Sequence, residues 1–277
     1  MGVPLKSKDL FPQIFSRHAA AYQERLEGIM ARGEALGRNR LLNYVDAQPG
    51  MRVLDLACGP GTLAFRLAAS VGAAGEVVGV DLAPGMIELA RAAHVGNARF
   101  EVMDIEKLAL PDASFDAATC GHGLQFVPDL AKALRETHRV LRPAARFGAS
   151  IPLDAGRDRP WLLLFEVVDR WLPPAASPRD QKSTLVIVND RDALQEAVLR
   201  AGFSDATVEV IQERVRWESA EQLVRQTMRW WSVAPRLERV GTSERDSLAE
   251  DAIETLRREY PGAIETTGGN HVLLAVA

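Results

Sequence analysis

Between Gly50 and Pro152 short apolar runs alternate with segments of helical periodicity, and this alternation restricts the chain to a parallel sheet covered by helices on both faces. Strands are expected at residues 53–57, 76–81, 99–103, 115–120 and 146–151. Helices are expected at 62–70, from Pro84 to about Ala93, and from Val127-Pro128-Asp129 to about Leu141. Pro84 suits a first turn, Asp129 an N-cap, and Arg142-Pro143 a stop.

The junction Val53-Leu54-Asp55-Leu56-Ala57-Cys58-Gly59-Pro60-Gly61-Thr62 reads as a buried strand breaking into a tight turn and entering a helix. Gly59 and Gly61 leave no Cβ where a ligand comes close, and glycine tolerates positive φ. The helix entered there points its free N–H groups at the same spot. Gly59 to Ala64 also fits G-x-G-x-x-A, for which Asp81, 20 residues past Gly61, would bind the ribose of NAD. A dinucleotide site has no use for Asp55 inside the first strand, however, and Asp104 ends the third strand as Asp81 ends the second. Three carboxylates at successive strand ends suit a ribose diol, an amino group and an adenine amine.

Residues 1–45 have an amphipathic helical pattern in which Phe11, Ile14, Phe15, His18, Tyr22 and Leu26 recur at three- and four-residue steps. Past Pro152 the rhythm fades into a mixed α/β half. It has helices near 161–172, 190–201, 218–231 and 244–259 and strands at 207–217 and 271–277. The expected organisation is therefore an N-terminal helical cap over 1–45, a core over 46–152, and a half over 153–277 that completes the sheet and supplies a lid, all in one domain.

A net charge of −4 without basic clusters argues against a nucleic-acid partner. No secretory leader or run of 18 apolar residues is visible, so the expectation is a cytoplasmic protein without a membrane span. Two cysteines, Cys58 and Cys120, are too few for a disulfide scaffold and are read as reduced, and no metal site is expected. Oligomeric state is not legible.

Five segments in order carry a family resemblance. Val53 to Gly61 resembles the first motif of class I S-adenosylmethionine (SAM)-dependent methyltransferases, Val80-Asp81-Leu82-Ala83-Pro84-Gly85-Met86 the second and Met103-Asp104-Ile105 the third. Leu110 to Asp116 and Arg139-Val140-Leu141-Arg142-Pro143 are similar to later signatures. Gly123 to Asp129, Ala201 to Ala206 and the terminal His271-Val272-Leu273-Leu274 look like the ubiquinone/menaquinone-methyltransferase-like subgroup. Ala144-Ala145 departs from that subgroup's Gly-Gly turn, and His122 stands where a neutral amide is frequent.

The resemblance implies an α/β, Rossmann-like, seven-stranded and mostly parallel sheet, with SAM as cofactor and a small-molecule methyl acceptor. It implies that Gly59, Gly61 and Ala57 admit SAM, that Asp55 orients its ammonium and that Asp81 accepts from the ribose. Leu82 and Met86 would sandwich the adenine, Asp104 would accept from its amine beside Ile105, and Gly121 would lie by the sulfonium arm. His122 comes just after the fourth strand and is the candidate base, its alternative being a pocket wall. His18, Tyr22, Trp161, Phe165 and Trp230 are candidate acceptor contacts, the aromatics pointing to an apolar or aromatic acceptor. C-, O- and N-methylation are not distinguished. The competing readings are an NAD(P)-dependent oxidoreductase and a SAM-binding protein with non-transferase activity.

Overall fold

Residues 5–153 and 158–277 are described by the computed structural model, so residues 1–4 of the expected cap and 154–157 of the expected C-terminal half lie outside it. Its sheet comprises β1 Arg52–Leu56, β2 Glu76–Asp81, β3 Ala98–Val102, β4 Phe115–Gly121, β5 Leu141–Pro152, β6 Asp205–Trp217 and β7 Ile264–Val276. The strand order is β3-β2-β1-β4-β5-β7-β6, parallel through β5 and antiparallel where β7 meets β5 and β6. This is the seven-stranded, mostly parallel sheet expected. The chain steps outward from β1 to β3 and then returns to β4, so the connections diverge between β1 and β4. Open α/β sheets bind ligands at the carboxyl ends of strands flanking such a point.

Three helices precede the first strand, α1 Ser7–Arg17, α2 Ala19–Ala31 and α3 Leu36–Val45, and three more follow strands where their apolar spacing dictates, α4 Thr62–Val71, α5 Pro84–Ala92 and α6 Leu130–Val140. The Asp129 carboxylate caps α6 by accepting from the Lys132 N–H at 2.9 Å. One core lies between the sheet and α6 with α9 (Arg191–Arg200), built on Phe115, Phe147, Leu134 and Leu194. Another lies under α4 and α5, on Val53, Leu67, Val77 and Ile87. Cys58 and Cys120 are buried and free.

The C-terminal half differs from the sequence reading in one consequential way. The last strand starts at Ile264 rather than at residue 271, because residues 264–270 pair with β6 although Gly268 and Gly269 give that stretch a loop-like composition. Strand β5 reaches β7 only from Asn270 onward, so the first half of β7 overhangs the main sheet as a two-stranded ribbon with β6. A separate core forms on this ribbon from α7 (Arg159–Trp171), α10 (Ala220–Met228) and α12 (Thr242–Glu259). Leu164, Leu223, Leu248 and Leu256 have no exposed surface there, and Trp217 donates its indole N–H to Thr266 Oγ1 at 2.9 Å. Two short helices, α8 Lys182–Asn189 and α11 Ala234–Leu237, have no counterpart in the sequence reading.

The Ala144-Ala145 departure has a conformational consequence. Ala144 has φ of 65°, a left-handed conformation that costs an L-residue roughly 1–2 kcal/mol. Ala144→Gly is expected to stabilise the fold by about 0.5–1 kcal/mol after the loss of chain stiffness in the unfolded state, read as a higher urea midpoint at constant m-value.

Candidate active site

The glycine turn sits at the carboxyl end of β1, with φ of 54° at Gly59 and 87° at Gly61. A Cβ on Gly61 would fall 2.6 Å from the Phe65 ring, so glycine is required there on both counts. Asp81 ends β2 and accepts from the Gly59 N–H at 2.9 Å and the Ala83 N–H at 2.8 Å, which ties the turn to the start of α5. Burial raises its carboxyl above the usual range, and the two amides oppose that.

Asp55 has no exposed surface. Its Oδ1 accepts from Thr119 Oγ1 at 2.7 Å, and its Oδ2 has no partner among the described residues. Burial, reinforced by the neighbouring Asp81 charge, pushes its carboxyl up to about 7, while Thr119, the Ala64 backbone N–H and Arg38 oppose the shift. Thr62 Oγ1, lining the same cleft, is likewise buried and unpartnered. Orphaned buried polar atoms beside a cradle that only glycine can line are what a bound polar nucleoside would satisfy.

Asp104 lies just past β3 and holds Lys8 of α1 at 2.6 Å, with Glu106 binding the same ammonium at 2.5 Å. Helix α1 is further tied down where Gly85 donates its N–H to Ser16 Oγ at 3.1 Å. Ile105 packs into the main core and Met86 under α1 and α2 beside Ala19, Phe15 and Tyr22. Leu82 lies half-buried at the start of the β2–α5 connection. Gly121 faces Leu63 across the cleft, where an added Cβ would fall 2.6 Å from Leu63 Cδ1. Tyr22 and Leu26 of α2 form the roof, and the space they leave above the turn is about 20 Å³, enough for one water. That space is too small for a nucleoside while Tyr22 and Leu26 hold these positions.

His122 has φ of 65°, and its Nε2 lies 2.8 Å from Asn270 Oδ1. Burial, with the charges of Arg38 and Arg25 added, holds the imidazole well below its usual range, so it is neutral at physiological pH. His18 is not in the cleft with Tyr22. It sits at the break between α1 and α2, 3.5 Å from Glu238, because the six-residue periodic run is divided between two helices at that point. Trp161, Phe165 and Trp230 meet in the lid core, with Trp230 5.3 Å from Trp161 and 6.3 Å from Phe165. Of the other histidines, His271 bonds the Val188 carbonyl at 2.9 Å, His138 packs on Phe203, and His94 lies exposed in the loop after α5.

Several cleft residues carried no distinguishing signal in the sequence. Arg38 of α3 is 7% exposed, lines the cleft beside Asp55, and has no hydrogen bond or ion pair among the described residues. Phe11, Phe15, Phe126 and Trp231 form a second aromatic cluster beside the roof, with Phe126 5.4 Å from Trp231. Among the described residues no group of three or more His, Cys, Asp or Glu could hold a metal, and no helix is long and apolar enough to cross a membrane.

A family model described as a methyltransferase domain matches residues 53–144, the span from β1 into β5 that contains this cleft. The 2-phytyl-1,4-naphtoquinone methyltransferase of Synechococcus elongatus is 38% identical over 180 residues, 62% of this chain and 76% of that protein. The chain belongs to the class I SAM-dependent methyltransferases. Within them this methyltransferase is of the quinone-methyltransferase type. The chloroplastic 2-phytyl-1,4-beta-naphthoquinone methyltransferase of Arabidopsis thaliana is 30% identical over 70% of this chain and 79% of that protein. In fold, the methyltransferase resembles the crystal structure of the YcgJ protein from Bacillus subtilis, with a TM-score of 0.54 at 20% identity over 87% of this chain and 97% of that one. With the family established, the oxidoreductase reading of the glycine turn falls away.

Proposed function

We propose that this methyltransferase moves a methyl group from SAM to a small, largely apolar aromatic acceptor with the chemistry of a reduced quinone. The observation that carries the cofactor half is the placement of Asp55, Asp81 and Asp104 at or just past the carboxyl ends of adjacent strands around Gly59 and Gly61. The names of the relatives, which are naphthoquinone and demethylmenaquinone methyltransferases, support the acceptor half.

Bound in the cleft, SAM would supply an electrophilic methyl group on a sulfonium. Asp81 keeps free lone pairs beyond those used by Gly59 and Ala83 and would hold the ribose hydroxyls. Asp55 Oδ2 would receive the ammonium, and Arg38, lining the same cleft, would take the carboxylate. Asp104 would accept from the adenine amine once Lys8 shifts, with Leu82, Met86 and Ile105 bounding the ring. Gly121 would leave room for the sulfonium arm. Tyr22 would close over the donor, with Trp161, Phe165 and Trp230 walling the acceptor side and His18 steadying the roof. Roof closure excludes water and aligns the two reactants, which is where such in-line transfers gain most.

His122 is proposed as the base. Its Nε2–H donated to Asn270 leaves Nδ1 able to accept, and its depressed pKa keeps the imidazole unprotonated at physiological pH. Purified protein given methyl-deuterated SAM and a naphthoquinol should yield a product heavier by one labelled methyl group in mass spectrometry. His122→Ala should lower that turnover by about 100-fold with SAM affinity within a few-fold of wild type. Unchanged turnover would make His122 a wall residue, and no labelled product with any quinol would remove the acceptor assignment.

A further inference from the structure

Helix α2, whose Tyr22 and Leu26 line the cleft, also carries Arg25. Arg25 lies over the Trp230 ring, 4.2 Å from its centroid, and its Nε is buried without a partner. It makes no hydrogen bond or ion pair among the described residues. The acids nearest to it in the sequence are engaged elsewhere, since Glu24 pairs with Arg229 and Glu27 with Gln23. Glu238, across from α2, pairs with Arg17. Arg25 instead acts on Arg38 and His122, close enough that its charge disfavours protonation of the imidazole.

Arg38 lines the cleft against Gly121, His122 follows Gly121 in the chain, and Arg25 stands on the roof helix between the cleft-lining Tyr22 and Leu26, with Asp55 facing Arg38 and Tyr22 facing Arg25. Arg25 is half-buried with its Nε shielded and unpartnered, an arrangement that is costly unless an anion arrives to pair with it. SAM brings a single carboxylate, and in the proposed site Arg38 takes it. A second anion is needed.

Resting on that assignment of the cofactor, we propose that Arg25 is a specificity-determining anchor for an anionic oxygen on the acceptor, either a ring hydroxylate or a ring carboxylate, while Trp230 stacks on the opposite side of the guanidinium. A neutral aromatic leaves the Arg25 charge uncompensated and is discriminated against. Holding an acceptor hydroxyl as its anion would also lighten the work asked of His122.

The test is calorimetric, on the full chain saturated with S-adenosylhomocysteine. For the carboxylate source the probes are 2-naphthoate and its neutral isostere 2-naphthamide; for the ring-oxygen source they are ionised 4-nitrophenol and 4-nitroanisole. Wild type should prefer the anion of at least one pair by about 10- to 100-fold, the range of a charge-assisted hydrogen bond, and the pair that responds identifies the source. Arg25→Gln should abolish the preference and leave S-adenosylhomocysteine affinity within about twofold, whereas Arg25→Lys should retain most of it. Equal binding of anion and isostere by wild type overturns the inference without using any variant. A preference that survives in Arg25→Gln, or a loss of S-adenosylhomocysteine affinity there, overturns it too. Failure of wild type to bind S-adenosylhomocysteine would instead strike the cofactor assignment beneath it.

Discussion

Asp81→Ala should weaken SAM binding by about 100-fold or more. The carboxylate would bond both ribose hydroxyls, and hydrogen bonds to a charged partner contribute roughly 1.5–3 kcal/mol each. The substitution also frees the Gly59 and Ala83 N–H groups, so the turn that admits the cofactor loses its tie to α5. Part of the loss is therefore preorganisation. Asp81→Asn separates the contributions, because an amide still offers one acceptor oxygen. Its SAM affinity should fall between those of wild type and Asp81→Ala in titration calorimetry. If all three bind SAM alike, the ribose is not held at β2.

Asp55→Asn should move stability and affinity in opposite directions. In the folded chain the Asp55 carboxyl titrates near 7; unfolded, it titrates near the usual value of about 4. Between those values the folded state holds a proton that the unfolded state releases. The stabilisation from this group is complete below about pH 4 and is lost as pH rises through 7, leaving a buried carboxylate above it. A neutral amide avoids that cost, so Asp55→Asn should be more stable than wild type at pH 8, by on the order of 4 kcal/mol at most. The two proteins should converge near pH 4. The same variant should bind SAM at least about 10-fold more weakly, because the ammonium loses its counter-ion. In wild type, SAM affinity should rise with pH up to about 7 and then level off. Urea titrations at two pH values and calorimetry on the same samples measure both effects. A destabilised variant at pH 8 would mean that Asp55 is not held against its own desolvation.

This tension explains why a strand interior carries a carboxylate at all. Asp55 stood out as a site candidate because a buried strand otherwise written in Val and Leu has little structural use for an acid, and the structure leaves one of its oxygens buried without a partner among the described residues. Gly59, Gly61, Asp81 and Asp104 were legible for a related reason, since the ends of parallel strands are fixed by their apolar runs to within a residue. The roof was not. Phe11 through Leu26 read as one helical face, yet the break at His18 turns α2 relative to α1, so His18 meets Glu238 while Tyr22 covers the turn. Arg25 and Arg38 are two of many arginines on amphipathic helices, and only the packing of α2 and α3 decides which ones turn inward. The overhanging part of β7 was hidden because Gly268, Gly269 and their polar neighbours gain strand structure solely from pairing with β6. That pairing lies far away in sequence. Trp161 and Phe165 could be read as core or pocket, and they share one cluster with Trp217 and Trp230.

A crystal structure with S-adenosylhomocysteine tests the central claim most directly. The account predicts α2 displaced from its seat above the glycine turn, ribose hydroxyls on Asp81, the amino group at Asp55, the carboxylate at Arg38, and the adenine amine at Asp104 in place of Lys8. A ligand bound elsewhere, or one that leaves Asp55 and Asp81 untouched, would contradict it.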